Sequence, residues 1–239
     1  MRRASTISEA LGGFTPGNQA TRERRITDFI LSTFSSLFST PAQYRLGFDV
    51  AASGEGDLAC LYIDKKEPPR LRLAGLFTCR TDDWHFLKTV LWTFHRRLPG
   101  LRSAGDETGL GRQICWETAK TFPSQFTPVN FASEKPNLGF TLMNQLSVAE
   151  KIFPKSEPDV AQDFFSLRKL FVGKTWKFTE GRNLLNPASH GDIAWAGALA
   201  SHAAEQGGTT VAFAGIGRTT PNFGRFLGVG KITATSWPL

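Results

Sequence analysis

Residues 44–63 decide the fold and read YRLGFDVAASGEGDLACLYI. Two apolar runs, 44–50 and 58–63, flank a loop rich in glycine, alanine and serine, which is the pattern of two strands joined by a turn. After a break at Pro68-Pro69, residues 71–78 alternate between apolar and polar side chains and predict a third strand. The sequence therefore predicts that the sheet begins as an antiparallel meander of three strands.

Helices and strands alternate beyond the meander. Residues 82–98 are typical of an amphipathic helix, and they are followed by a buried strand at 101–104, a helix at 109–120 and an edge strand at 127–131. Because the helix is a crossover connection, the strand at 101–104 should lie parallel to the strand at 44–50 and beside it. This order predicts an α/β fold, with a mixed five-stranded sheet flanked by helices.

The rest of the chain divides by composition. Residues 1–43 combine an arm rich in Ser, Gly and Arg with an amphipathic linker helix, which we expect to pack on the main domain. Residues 44–205 form the α/β domain; its last part reads as a hairpin around 171–179 and an alanine-rich helix at 189–204. Residues 206–239 read as a Gly/Thr-rich C-terminal tail.

Composition excludes several protein classes. The chain has 239 residues, 41% hydrophobic and 21% charged, as in ordinary folded domains, and its longest apolar run is too short for a membrane helix. Three cysteines, Cys60, Cys79 and Cys115, form no CxxC pair, which favours free thiols in a reducing compartment over a zinc site. We therefore expect a cytoplasmic protein with no membrane partner.

The net charge of +7 is compatible with a polyanionic partner. Residues 44–205 are nevertheless almost balanced, with twenty basic against eighteen acidic side chains, and the excess is shared with the two ends. Charge alone therefore does not decide between nucleic-acid binding and ordinary solubility.

Three acidic residues stand at the ends of predicted elements. Asp49 lies near the end of the first strand, Asp106 follows the strand at 101–104, and Asp192 opens the alanine-rich helix. Adjacent strands bring the first two together, and a helix laid across the sheet adds the third. Each residue also has a structural interpretation, as a turn residue or a helix cap.

Converging carboxylates repel one another, and hard divalent cations relieve that repulsion. Mg²⁺ prefers one or two carboxylates together with substrate phosphate oxygens, and two such ions activate a water and stabilise the leaving oxygen of a phosphodiester. A convergent site would therefore favour phosphodiester hydrolysis.

The motifs around these acids resemble the nuclease domain of the large terminase subunits of tailed phages, most strongly the Mu-like branch, which has an RNase H-like (RuvC-like) fold. GFDVA at 47–51, with GEGD at 54–57, is similar to the first acidic motif of that family. GDETGLG at 105–111 is similar to the second and HGDIAWAGAL at 190–199 to the third, while FASEK at 131–135 resembles the segment after the fifth strand. The resemblance spans about residues 44–205.

The resemblance implies that Asp49, Asp106 and Asp192 are catalytic and hold two Mg²⁺ or Mn²⁺ ions. Asp49 would contact both ions, Asp106 would hold one, and Asp192 would complete the site. Three further residues would support the site or be structural: Asp57, Glu107 and His190. Glu107 is the alternative to Asp106 as the second acid, and His190 would ligate an ion, orient Asp192 or contact DNA. Four basic residues are candidates for DNA contact, with solvated surface charges as the alternative: Lys135, Lys174, Lys177 and Arg182.

The implied function is that of a metal-dependent DNA endonuclease, which cuts phage DNA in the host cytoplasm during genome packaging. Its partners would be double-stranded DNA, a packaging ATPase, and the small terminase and portal proteins. Two alternatives stay open: another RNase H-like nuclease, such as a Holliday-junction resolvase, and a catalytically silent DNA-binding module.

The sequence departs from the family in one respect, since large terminase subunits carry an N-terminal packaging ATPase. The nearest approach to a phosphate loop is VGKT at 172–175, but Arg168 stands where the earlier glycine is required. GIGRTT at 215–220 lacks the third glycine of a dinucleotide-binding loop. We therefore expect an isolated nuclease module without motor activity.

Overall fold

The structure, a computed structural model, describes residues 2–4, 19–50, 58–109 and 111–205. The described strands are β1 (Arg2–Ala4), β2 (Tyr44–Asp49), β3 (Ala59–Glu67), β4 (Arg70–Cys79), β5 (Arg102–Asp106), β6 (Phe126–Val129), β7 (Lys151–Ile152), β8 (Arg168–Val172) and β9 (Thr175–Thr179). The described helices are α1 (Gln19–Thr33), α2 (Ser35–Ser39), α3 (Trp84–Arg97), α4 (Gly111–Thr121), α5 (Phe131–Ser147), α6 (Pro158–Ser166) and α7 (Asp192–Glu205). The predicted tail at 206–239, most of the predicted arm, and the loop that contains Asp57 lie outside the described residues.

The central sheet has the strand order β4-β3-β2-β5-β6. β2, β3 and β4 form an antiparallel meander, whereas β5 runs parallel to β2, and β6 parallel to β5. The predicted α/β fold, with its five strands and the parallel crossover through α3, is confirmed. Two short strands that the sequence did not indicate, β1 and β7, extend the sheet by pairing in parallel with β4.

One face of the sheet is covered by the N-terminal helices and α3. Ile26, Ile30 and Phe34 are fully buried in the same core cluster as Phe48 of β2 and Phe94 of α3. The apolar stripe of α1 and α2 is therefore satisfied within the domain, as the amphipathic spacing predicts.

The other face is covered by α7, which lies directly on β2. A Cβ atom on Gly47 would lie 1.7 Å from the backbone oxygen of Ala196 and 2.5 Å from the nitrogen of Ala200. The glycine in the strand and the small residues in the helix thus permit a backbone contact that a larger residue at position 47 would prevent. The alanine-rich sequence of α7 sets the distance between helix and sheet.

A buried ion pair fastens α7 and β7 to the meander. Lys151 and Asp64 are both fully buried, and the Lys151 ammonium donates to the Asp64 carboxylate, to the Gly197 carbonyl at 2.9 Å and to the Ser201 hydroxyl at 3.1 Å. Both charged groups are shielded from water, so removal of either partner would leave a buried charge without its counter-charge.

Several element boundaries differ from the sequence-based prediction for local reasons. β6, which was predicted to extend to residue 131, ends at Val129, because the Asn130 side chain accepts the Ala132 amide at 3.0 Å and caps α5. α7 begins at Asp192 rather than 189, after Gly191 with φ +92°. Among the described helices, none has both the length and the apolar character needed to cross a bilayer. The three cysteines are free and buried, as expected.

Candidate metal centre

Asp49 and Asp106 end two neighbouring parallel strands. The register pairs Phe48 of β2 with Gly105 of β5, so Asp49 and Asp106 are the next aligned positions, at the carboxyl ends of the two strands. Neighbouring strands of a sheet lie about 4.8 Å apart. Because the ends of parallel strands meet at one edge of a sheet, both residues emerge at the same edge.

Both acids also belong to the face of the sheet that α7 covers. Successive side chains of a strand alternate between faces, so a residue shares its face with the residue two positions earlier. Gly47, two positions before Asp49, contacts α7, and Ala104, two positions before Asp106, is buried in the same core cluster as the α7 residues. The two carboxylates therefore project toward the same helix.

Asp192 is the first residue of α7, and only 7% of it is exposed. Its Oδ2 accepts the backbone amides of Leu58 at 3.3 Å and of His190 at 3.2 Å. Leu58 immediately precedes β3, and β3 pairs Cys60 with Asp49. Asp192 is therefore held at the end of the sheet where Asp49 and Asp106 emerge.

The pKa of Cys60 reflects its burial and the proximity of Asp49 and Asp192, whereas burial and the charge of Asp106 raise the pKa of a different thiol, that of Cys115. Burial raises the pKa of the Cys60 thiol well above its usual value, and the negative charges of Asp49, Asp192 and Asp163 raise it further. Three carboxylates thus act on one buried thiol, and Asp163, which the sequence did not single out, is one of them.

Asp106 is held by the turn that follows its strand. The Thr108 hydroxyl lies 2.8 Å and 2.7 Å from the two carboxylate oxygens, and the Thr108 amide donates to Oδ1 at 2.8 Å. The backbone oxygen of Asp106 accepts the Cys115 thiol at 3.2 Å, and a Cβ on Gly111 would lie 2.1 Å from that same oxygen. Gly111, the last glycine of the second motif, is therefore required by the close approach of α4 to the end of β5.

The three residues expected to support the site, Glu107, His190 and Asp57, have different positions relative to the acids. The Glu107 amide continues the ladder to the Val129 oxygen at 2.9 Å, and its side chain lines a cavity of about 640 Å³ with Arg112 and Trp116. His190 is exposed and supplies its backbone amide to Asp192. Asp57 lies outside the described residues.

The four basic candidates for DNA contact also divide. Lys135 forms an ion pair with Glu180 and lies 4.8 Å from the centre of the Trp195 ring. Lys174, in the β8–β9 turn, Lys177, on β9, and Arg182 are exposed.

A divalent ion fits the donor set at this edge. Mg²⁺ takes carboxylate oxygens, keeps several waters and is usually bound through one or two protein carboxylates. Over residues 19–50, 58–109 and 111–205, no group of three or more His, Cys, Asp or Glu side chains lies close enough together to hold a metal ion by itself. The acids at this edge offer only carboxylate oxygens, which is the donor type that Mg²⁺ prefers.

Two residues around the acids were missed by the sequence analysis. Thr108 lies inside the second quoted motif, where its hydroxyl was not assigned a role. Asp163 precedes the predicted hairpin at 171–179, and its contact with Ala194 of α7 joins residues about 30 positions apart. A pattern confined to short windows does not reveal such a pair.

No family model and no curated protein matches the sequence, whereas the fold matches solved nuclease structures. The large terminase nuclease from thermophilic phage G20c with bound magnesium gives a TM-score of 0.54 at 18% identity, over 67% of this chain and 81% of that chain. The same nuclease with bound cobalt gives 0.52 at 17% identity, over 67% and 81%. The Thermus phage P74-26 large terminase nuclease domain gives 0.50 at 15% identity, over 66% and 78%. The chain therefore has the RNase H-like fold of phage large terminase nuclease domains.

Proposed function

We propose that this chain is a Mg²⁺- or Mn²⁺-dependent endodeoxyribonuclease that cuts phage DNA during genome packaging. The observation that supports the proposal is the position of Asp49 and Asp106 at the ends of adjacent parallel strands, with Asp192 bound to the residue that precedes the neighbouring strand β3. The same fold in the phage G20c large terminase nuclease holds magnesium, cobalt or zinc, which supports a divalent cation here.

Asp49, Asp106 and Asp192 would hold two ions, with Asp49 shared between them. When bound, such ions activate a water and stabilise the leaving oxygen of an in-line displacement. The chain itself orients the carboxylates: Thr108 fixes the rotamer of Asp106, and the amides of Leu58 and His190 fix that of Asp192. Asp106 and Asp192 are thus presented in a set geometry before any ligand arrives, which lowers the cost of assembling the site.

DNA would be held through its phosphates by the hairpin β8–β9. The base of the hairpin lies beside the third acidic motif, because a Cβ on Gly191 would contact Glu180 and Leu167. The hairpin has basic side chains at positions 168, 169, 174 and 177, and no acid between 164 and 179. Lys174, Lys177 and Arg182 would contact phosphates, whereas Lys135 would do so only by exchanging Glu180 for a phosphate. Such contacts position a duplex without reading its sequence.

In the packaging machinery, a packaging ATPase, the small terminase and the portal protein would bring DNA to this site. Residues 44–205 would form the nuclease domain and 1–43 its N-terminal arm and linker helix. The affinity of the isolated chain for DNA should then be low, because its central block is nearly balanced in charge.

A plasmid-nicking assay tests the function. Supercoiled DNA should be nicked with Mg²⁺ or Mn²⁺ and left intact with EDTA, and Asp49→Asn should abolish nicking. Asp28→Asn is the matched control, since Asp28 is an exposed acid of α1, on the face of the sheet opposite α7, and it should cut like the wild type. Metal-independent cutting, or full activity of Asp49→Asn, contradicts the proposal. A strong preference for four-way junctions over linear duplex would indicate a resolvase instead.

A further inference from the structure

The first turn of α7 receives no capping side chain from the residue that precedes it. Gly191 accepts the first helical hydrogen bond, from the Trp195 amide at 2.8 Å, so it occupies the position where Ser, Thr, Asp or Asn usually caps a helix. Asp192 turns its Oδ2 toward the amides of Leu58 and His190, away from the amides of its own helix. The orphan amides of this turn therefore need a partner from elsewhere.

Asp163 of α6 is that partner. Its Oδ2 accepts the Ala194 amide at 3.0 Å, the third amide of α7 and one that an ordinary capping side chain would bind. Asp163 is fully buried. A carboxylate at a helix N-terminus is stabilised by the helix dipole and by charge-assisted hydrogen bonds, which compensates for the loss of water.

The second oxygen of Asp163 organises the loop that leads into α7. Its Oδ1 accepts the Asn183 amide group at 2.9 Å, and the Asn183 carbonyl oxygen accepts the backbone amides of Leu185 and Asn186, each at 3.0 Å. Asn183 is itself fully buried. One carboxylate thus joins the loop before Asp192 to the helix after it.

Close packing fixes α6 against α7 at the same place. A Cβ on Gly197 would lie 2.3 Å from the ring of Phe164, the residue after Asp163. Movement of Asp163 relative to the first turn of α7 is therefore resisted by apolar contacts as well as by hydrogen bonds.

We propose that Asp163 is a positioning residue of the metal centre, which caps α7 from a neighbouring helix and thereby leaves the Asp192 carboxylate directed at the sheet edge. The inference rests on the proposed nuclease function.

The test compares Asp163→Asn with Val160→Ala in the full chain. Asn has nearly the same shape as Asp, but its oxygen can accept only one of the two donors, so its Nδ2 lies against either the Ala194 amide or the Asn183 amide group. Val160 is a fully buried, apolar residue of the same helix. In Asp163→Asn, the Mn²⁺ concentration for half-maximal cleavage should rise about tenfold or more, in the range seen when partners of metal ligands are removed. The KM for DNA should stay within about twofold, since phosphate contacts are unaffected. Val160→Ala should lower the melting temperature without shifting the Mn²⁺ dependence.

Amide hydrogen exchange supplies a readout that is independent of activity. The segment 189–199 should exchange faster in Asp163→Asn than in the wild type and in Val160→Ala. Unchanged exchange, or an equal shift of the Mn²⁺ dependence in both variants, overturns the inference. If the wild type cuts no DNA, the proposed function fails, and the exchange data alone still decide whether Asp163 caps α7. Should Asp163→Asn not fold, the wild type decides: an Ala194 amide that exchanges as fast as that of Ile193 excludes the cap.

Discussion

Gly47 lies directly beneath Ala196, so close that a Cβ atom on Gly47 would lie 1.7 Å from the Ala196 carbonyl oxygen. This contact sets the height of α7 above the sheet. Because Asp49 is two residues further along the strand and Asp192 one turn earlier in the helix, the same contact brings the two acids to one end of the sheet. The first and third acidic motifs are therefore coupled through a glycine that has no chemistry of its own.

Gly47→Ala should destabilise the domain by about 3 kcal/mol, at the upper end of the cost of overpacking, because the atoms it meets belong to a backbone and cannot rotate away. Urea unfolding measures the change. Gly100→Ala is the control, since nothing lies within 4 Å of a Cβ there, and it should stay within about 0.5 kcal/mol. Equal effects of the two substitutions would show that α7 is free to shift.

Mn²⁺ should raise the melting temperature of the wild type, because it binds the folded state and relieves repulsion among Asp49, Asp106 and Asp192. At a hundred times the Kd, the gain is about 2.7 kcal/mol. Asp49→Asn should raise the stability of the metal-free protein and reduce the Mn²⁺ response, while Asp28→Asn should alter neither. Melting curves recorded in EDTA and in Mn²⁺ check this, and an unchanged Mn²⁺ response in Asp49→Asn would remove Asp49 from the site.

Thr108→Val should raise the Mn²⁺ concentration for half-maximal cleavage about tenfold, since it removes the hydroxyl that contacts both oxygens of Asp106. Thr108→Ser keeps that hydroxyl and should behave like the wild type. Cleavage rates over a Mn²⁺ series distinguish the two variants. If Thr108→Ser loses activity and Thr108→Val does not, the Thr108 methyl group and not its hydroxyl supports the site.

The architecture of the sheet was predictable from local patterns, whereas the support of the site was not. Residues 44–50 and 101–104 are short apolar runs separated by a long amphipathic helix, and such a unit has one strongly favoured handedness and pairing. β7 has two residues, too few for any period, and pairs with β4 through contacts distant in sequence.

The cap on α7 escaped prediction for a related reason. Residues 190–192 read as a glycine and an acid at a helix start, which suggests that Asp192 caps its own helix. In the structure, Asp163 of another helix takes the Ala194 amide, and the Asp192 carboxylate accepts amides outside the helix. Only the packing of α6 on α7 reveals this division of roles.

The stability of the domain should fall as the pH drops from about 6.5 toward 4. Burial lowers the pKa of His95 to about 4, and its ring nitrogen lies 2.8 Å from the Ser103 hydroxyl. The unfolded chain binds a proton near the ordinary histidine pKa, so protonation in this window favours unfolding, by at most about 3 kcal/mol at pH 4. His95→Gln should flatten this part of the profile of unfolding free energy against pH. A slope identical to that of the wild type would assign the acid sensitivity to other groups.

DNA binding by the isolated chain should be weak, with a dissociation constant on the order of 10⁻⁶–10⁻⁴ M at physiological salt, and should weaken further as salt rises. Lys174 and Lys177 of the hairpin each contribute one phosphate contact in the proposed function, so alanine at both positions should reduce the slope of log K against log salt by about 2. Lys155→Ala, at an exposed lysine outside the hairpin, is the control and should leave the slope unchanged.

The measurement uses the Asp49→Asn background in EDTA, so that no DNA is cut, and compares random duplexes with phage-end duplexes. Since phosphate contacts carry no sequence information, both duplexes should bind alike. Nanomolar binding that is selective for one sequence and insensitive to salt would contradict the proposed mode, and would indicate a site-specific nuclease or DNA-binding module instead.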